Sequence, residues 1–208
     1  MSGIEIASYM IAVVYVVSFL AMSAILAREA DRPIWLFSMG SQKQALPAML
    51  FRLAFVGAIL WPLALAAFGN PLPGDPVPRM LDSVWADAFG HLLVVLGACL
   101  AILAQRHMGR SWRIGAAEGE IGTIVDSGPF AMSRNPVFVG QALLFGGLLF
   151  VLPSLVQAAI TLALLIAIQL QVAIEERVLE ADLGNPYRAY KQRVHRWLGS
   201  SGLKTEGT

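Results

Sequence analysis

Charge is scarce in this sequence. Asp, Glu, Lys and Arg make up 14% of its 208 residues, where a soluble domain carries about 25%. With 57% hydrophobic residues and a positive mean hydropathy, an ordinary water-soluble fold is excluded and the chain needs lipid around it. Cysteine is scarcer still. Cys99 stands alone, which excludes a disulfide framework and a cysteine metal cluster; in its apolar stretch it reads as packing. His91, His107 and His195 lie too far apart for ligand spacing, so no metal site is expected. A basic leader is also missing. Glu5 is the only charged side chain among residues 1–27, so the first apolar run is expected to be a membrane helix and not a secretory signal. No nucleic-acid partner is expected.

Long apolar runs are what the sequence has instead. The first covers 4–27, the second 48–68 with Pro62 inside it, and the third 86–104. A bilayer core takes about 20 helical residues, and a proline is tolerated where neighbouring helices satisfy the freed carbonyl. The last run, 137–174, is too long for one crossing of a core about 30 Å thick. Pro153-Ser154 divides it, which predicts a tight helical hairpin. The expectation is an all-α polytopic membrane bundle of five transmembrane helices. It comprises an N-terminal three-helix region (1–104) and a second region (105–208) holding the hairpin, in one integrated membrane domain. The loop 69–85, rich in proline and glycine, reads as an irregular turn.

The basic residues orient this bundle. Five crossings place 14 of the 15 Lys and Arg on one face, with Arg79 alone on the other. The positive-inside rule makes the basic face cytoplasmic and the N-terminus external. A bacterial inner membrane is the expected location. Beyond the fifth crossing, Gly184 can end the helix in a left-handed cap. Asn185-Pro186 can restart one, Asn as cap and Pro in the first turn. Tyr187, Tyr190, Val194, Trp197 and Leu198 then fall on one side, the pattern of a helix lying in the headgroup layer.

Three patches converge on the basic face. The first is Arg106-His107-Met108-Gly109-Arg110-Ser111-Trp112. The second is Gly128-Pro129-Phe130 followed by Ser133-Arg134-Asn135-Pro136-Val137-Phe138-Val139-Gly140. The third is Glu175-Glu176, then Leu179, Gly184, Tyr187 and Tyr190. Each has a plain reading. Asn135-Pro136 can cap a helix, Arg134 can be a membrane anchor, the acidic pair can be a solvated face balanced by Arg177, and Trp112 can anchor in the headgroups. The hairpin, however, brings Arg134 and Glu175-Glu176 to one membrane depth. Ionisable groups there are costly and often mark function. Together with the first N–H groups of a helix they make a polar ligand pocket of mixed charge.

The run from Arg106 to about Leu198 resembles the superfamily of membrane methyltransferases that includes isoprenylcysteine carboxyl methyltransferases and phosphatidylethanolamine N-methyltransferases. The shared motifs are Gly128-Pro129-Phe130, Arg134-Asn135-Pro136, Phe138-x-Gly140, Glu175-Glu176 and Leu183-Gly184-x-x-Tyr187-x-x-Tyr190. The resemblance implies methyl transfer from S-adenosylmethionine to a lipophilic acceptor from the bilayer: a prenylcysteine carboxylate, a phospholipid amine or a small lipophilic molecule. It also implies that Arg134, Asn135, Pro136, Gly140, Glu175, Glu176, Tyr187 and Tyr190 line the cofactor site, with Arg134 and Glu176 as catalytic candidates. Phe130 and Phe138 stand where the family often has tyrosine. Asn135 replaces the histidine of the carboxyl methyltransferases, and Gln171 stands where some of them carry arginine. Two other readings share parts of the pattern: an NADPH-dependent membrane reductase of the sterol reductase type, and a non-catalytic membrane subunit that keeps the fold.

Overall fold

In the computed structural model, residues 1–29, 36, 44–115 and 124–199 are described. Among them every regular element is helical. The basic residues Arg32 and Lys43 and the end of the tail lie outside the described residues. Four helices are long and apolar enough to cross a membrane: α1 (Gly3–Glu29), α2 (Ala45–Phe68), α4 (Val84–Met108) and α6 (Leu155–Leu183). A five-residue helix, α3 (Val77–Leu81), interrupts the turn between α2 and α4. The fifth expected crossing, α5 (Pro136–Val151), has 16 residues. At 1.5 Å per residue it spans about 24 Å, less than the full core. The described residues thus form a polytopic helix bundle with four helices long enough to span a membrane and one short apolar helix among them. A final helix, α7 (Asn185–Arg193), follows α6.

The helix ends follow local chemistry. Ser2 and Glu5 cap α1 reciprocally, Ser2 N–H donating to Glu5 Oε2 at 2.7 Å and Glu5 N–H to Ser2 Oγ at 3.3 Å. Ser83 and Ser154 cap α4 and α6 by accepting from the N–H groups of Ala86 and Gln157. Gly184 ends α6 at φ 58°, as expected, its N–H donating to Glu180 O. Asn185 does not cap α7; Gly184 holds that position and no side chain caps the helix.

Two packing relations set the site. α5 lies chiefly on α4, and α6 on α2. The α4–α5 contact is a glycine seam, as small residues permit in membranes. A Cβ on Gly97 would lie 2.5 Å from Gly140 O, and one on Gly147 2.5 Å from Gly90 O. The backbones of the two helices therefore touch. At the opposite end of the bundle from the site, Asp75 ties the α2–α4 turn to the start of α6. Its Oδ2 accepts from Leu155 N–H and Asn70 Nδ2, each at 2.8 Å, and its Oδ1 from Val77 N–H at 2.9 Å.

Candidate active site

The chain before α5 is a 3₁₀ turn, Gly128–Ala131, opened by Gly128 at φ 57°. The His107 ring packs so closely under Gly128 that a Cβ there would sit 2.7 Å from it. This turn aims Arg134 inward. Arg134 Nη2 donates to Glu176 Oε1 at 2.7 Å, while its Nη1 donates to the carbonyls of Lys191 and Val194 at 3.2 and 3.1 Å. Glu176 is also held by Arg196, whose Nε reaches Oε1 at 3.1 Å and whose Nη2 reaches Oε2 at 2.5 Å. Hydrogen bonding to Glu176 pushes the Arg196 guanidinium further up from its ordinary pKa. Arg196 thus forks onto both oxygens of the carboxylate and Arg134 adds a single Nη2 bond, all charge-assisted hydrogen bonds of the strong kind.

Arg196 was not singled out in the sequence. It lies beyond α7, where the chain folds back over the turn before α5. Arg134 N–H donates to His195 O and Gly199 N–H to Met132 O. Asn135, expected to cap α5, instead donates from Nδ2 to Arg196 O at 3.0 Å. No cap bond forms from its side chain. The aromatic face of α7 is also turned inward. Tyr187, Tyr190 and Val194 are buried against Ile124, Leu179 and Leu183, so this face lies on protein and not in the headgroups. Tyr190 donates its hydroxyl to Phe130 O at 2.7 Å. Burial pushes both phenols up from their ordinary pKa. Trp112 is likewise no headgroup anchor. It is buried, donates Nε1 to Ser23 Oγ at 3.0 Å, and meets Phe19 edge-on.

These residues surround a cavity of about 310 Å³, within the range of small-molecule sites. Arg134, Asn135, Pro136, Glu175, Glu176, Tyr187 and Tyr190 all line it. Gly140 does not. A Cβ on it would meet Ala101 N at 2.6 Å, so close helix packing explains the glycine. The other end of the cavity is apolar and comes from α1, α2 and α5: Val16, Leu20, Phe51, Phe55 and Phe138. Phe138 stacks on Phe51 at 5.8 Å, which accounts for a ring without a hydroxyl there. The motif-free first hundred residues thus supply much of the wall. Polar residues set into apolar helices were the available signal. Gln141 and Gln171 both line the cavity. Gln141 pairs with the Tyr15 hydroxyl at 2.9 Å and Gln171 with Glu175 at 2.9 Å. Among the described residues no group of three His, Cys, Asp or Glu could hold a metal.

Comparison with known proteins agrees with the motifs. The sequence model of the phospholipid methyltransferase family matches residues 85–185, from α4 through both glutamates to the start of α7. The chain belongs to this family. It is also similar to an uncharacterized protein of Haemophilus influenzae, 44% identical over 45 residues, which cover 22% of this chain and 71% of that one. Family membership makes the bundle a membrane methyltransferase fold, and the matched span contains the polar end of the cavity apart from α7 and the segment after it.

Proposed function

We propose that the protein transfers a methyl group from S-adenosylmethionine to a lipophilic acceptor that enters the cavity from the bilayer. One observation carries this reading: a single cavity joins a mixed-charge end to an apolar end walled by helices that face lipid. The donor's chemistry fits the polar end. Arg134 Nε and the amide oxygens of Gln141 and Gln171 are buried without a partner. A donor and acceptors left unpaired at a cavity wall suit a ligand with its own carboxylate and hydroxyls, since an unmet buried polar group costs about 1–3 kcal/mol.

Bound there, the cofactor would supply a methyl group on a sulfonium, transferred by in-line displacement. The protein's part is placement, because holding donor and acceptor in line supplies most of the rate. Arg134 fixes the turn before α5 against Glu176. Arg196 closes the same carboxylate from the returning tail, and Asn135 holds the Arg196 carbonyl. Trp112, Phe130 and Phe138 keep water from the reacting atoms. The basic face, and with it the polar end of the cavity, is cytoplasmic in this reading, with the N-terminus outside and a bacterial inner membrane as the setting.

The test is ligand-dependent melting of the detergent-solubilised protein. S-adenosylhomocysteine at a hundred times its Kd should stabilise the protein by about 2.7 kcal/mol, and NADPH should not. Stabilisation by NADPH alone would move the assignment to a reductase; stabilisation by neither would leave a membrane subunit without cofactor chemistry.

A further inference from the structure

The two glutamines at the cavity wall belong to different ends of it. Gln171 is tied to the polar end: its Nε2 donates to Glu175 Oε1 at 2.9 Å and reaches Gln44 Oε1 at 3.5 Å. Gln141, in the second turn of α5, is tied to the apolar end. Its Nε2 donates to the Tyr15 hydroxyl on α1 at 2.9 Å. The Tyr15 ring packs against Phe19 and Phe55, with centroids 6.0 and 6.4 Å away, and both of those rings line the cavity. The bond to Tyr15 fixes which way the amide turns and uses only half of it. Gln141 is 2% exposed, and among the described residues its Oε1 has no partner. A buried acceptor left without a donor costs free energy that an apolar side chain would avoid. Holding α1 to α5 accounts for Nε2 and leaves Oε1 unexplained.

We propose that Gln141 is a specificity-determining residue, whose Oε1 accepts a hydrogen bond from a hydroxyl carried within the apolar body of the methyl acceptor. The inference rests on the methyl-transfer reading above and deepens it. Tyr15 is the positioning residue that holds the amide. The rest of that part of the acceptor must be apolar, because Val16, Leu20, Phe51, Phe55 and Phe138 wall the same end. The polar group must be a donor. A carbonyl or ether oxygen would set its lone pairs against those of Oε1. It must also be neutral, since an unpaired cation among these rings costs far more than a hydroxyl. Such a site discriminates strongly, because an analogue without the hydroxyl leaves the buried Oε1 unmet. Tyr15 lies outside the span matched to the family, residues 85–185, so the device depends on this chain's own first helix.

The test uses the full chain in detergent, loaded with S-adenosylhomocysteine, and three probes that differ only at mid-chain: methyl stearate, methyl 10-hydroxystearate and methyl 10-oxostearate. The esters partition differently into micelles, so the ratio of their affinities is compared between proteins. The preference for the hydroxy ester over methyl stearate should be at least tenfold greater in the wild type than in Gln141→Leu, which is of similar size and has no polar atom. S-adenosylhomocysteine affinity should stay within threefold in that variant. On the wild type itself the oxo ester, polar but without a donor, should bind at least tenfold more weakly than the hydroxy ester. Equal binding of those two overturns the proposal whether or not Gln141→Leu folds. So does an equal preference in wild type and Gln141→Leu, which would leave Gln141 a plain link between helices. Loss of S-adenosylhomocysteine binding in Gln141→Leu in step with the preference also overturns it, by making Gln141 a cofactor ligand. A wild type that does not bind S-adenosylhomocysteine at all would instead defeat the methyl-transfer reading, and this proposal with it.

Discussion

Arg134 and Glu176 meet at 2.7 Å with only 9% of each side chain exposed, joining the turn before α5 to the last turns of α6. Both remaining ends of the pair are also fixed. The Arg134 Nη1 reaches two carbonyls at the end of α7, and Arg196 closes the other side of Glu176. Four chain segments therefore depend on one ion pair. Breaking a buried pair by removing one partner costs about 3–5 kcal/mol, so this pair is expected to be read in stability as well as in activity.

Arg134→Lys tests the reach of the two Nη groups and not the charge. Lysine cannot span Glu176 and two carbonyls at once, and the exchange is not conservative where bidentate geometry matters. Methyl transfer should fall at least tenfold and the melting temperature should drop. Asn135→His should be tolerated, since an imidazole N–H can replace the Asn135 donor to Arg196 O. If Arg134→Lys keeps full activity with every acceptor tried, Arg134 is a membrane anchor and the site rests on the glutamates.

Much of this arrangement was legible in the sequence, and the reason is local. The helices came from apolar runs, the hairpin from Pro153-Ser154, and the end of α6 from Gly184. A three-residue turn between α5 and α6 forces Arg134 and Glu176 to one level. What stayed hidden depends on contacts between distant segments. Arg196 finds Glu176 only because the chain after α7 folds back onto Met132 and Arg134, a return that no periodicity marks. Trp112 reads as an interface anchor until Ser23, 89 residues away, supplies its partner. Gly140 belongs to a matched motif, yet its geometry answers to Gly97 and Ala101 on α4. The Pro153-Ser154 division also sets how short α5 is, since the helix ends at Val151 just before that turn.

Asp75 gives the fold a pH-sensitive staple far from the site. Burial works against its charge, yet the N–H groups of Leu155 and Val77 and the Asn70 amide outweigh it and hold the carboxyl below its usual range. The folded-state pKa is thus below the unfolded one. The stabilisation is fully present above the unfolded pKa and is lost as pH falls through the folded value. Asp75→Asn should therefore melt lower than wild type at pH 7, with the gap closing on acidification below the ordinary carboxylate range. S-adenosylhomocysteine affinity should not change. A gap that is constant with pH would show that the charge plays no part.

The charge distribution predicts the orientation. A reporter fused after Thr208 should report the cytoplasm, and one inserted near Asp75 the opposite side, because Arg79 is the only basic residue of that turn. Finding both reporters on the same side would contradict the crossing pattern. With α5 reaching only about 24 Å, such a result would point to α5 as a helix that enters the membrane without crossing it.

The glycine seam makes the sharpest structural prediction. A side chain at Gly97 would meet backbone on α5, at 2.5 Å from both Gly140 O and Leu144 N. Backbone cannot rotate away as a flexible side chain does, so α4 and α5 must separate. Overpacking of this kind costs about 1–3 kcal/mol, and here it also moves the turn that carries Arg134. Gly97→Val should lower both melting temperature and S-adenosylhomocysteine affinity. Gly146 lies on the same helix as Gly140, but a Cβ there meets nothing within 4 Å. Gly146→Ala should leave binding unchanged and gain up to about 1 kcal/mol from helix propensity. If Gly97→Val melts and binds like wild type, the helices have slack at the seam, and the placement of Arg134 does not depend on their contact.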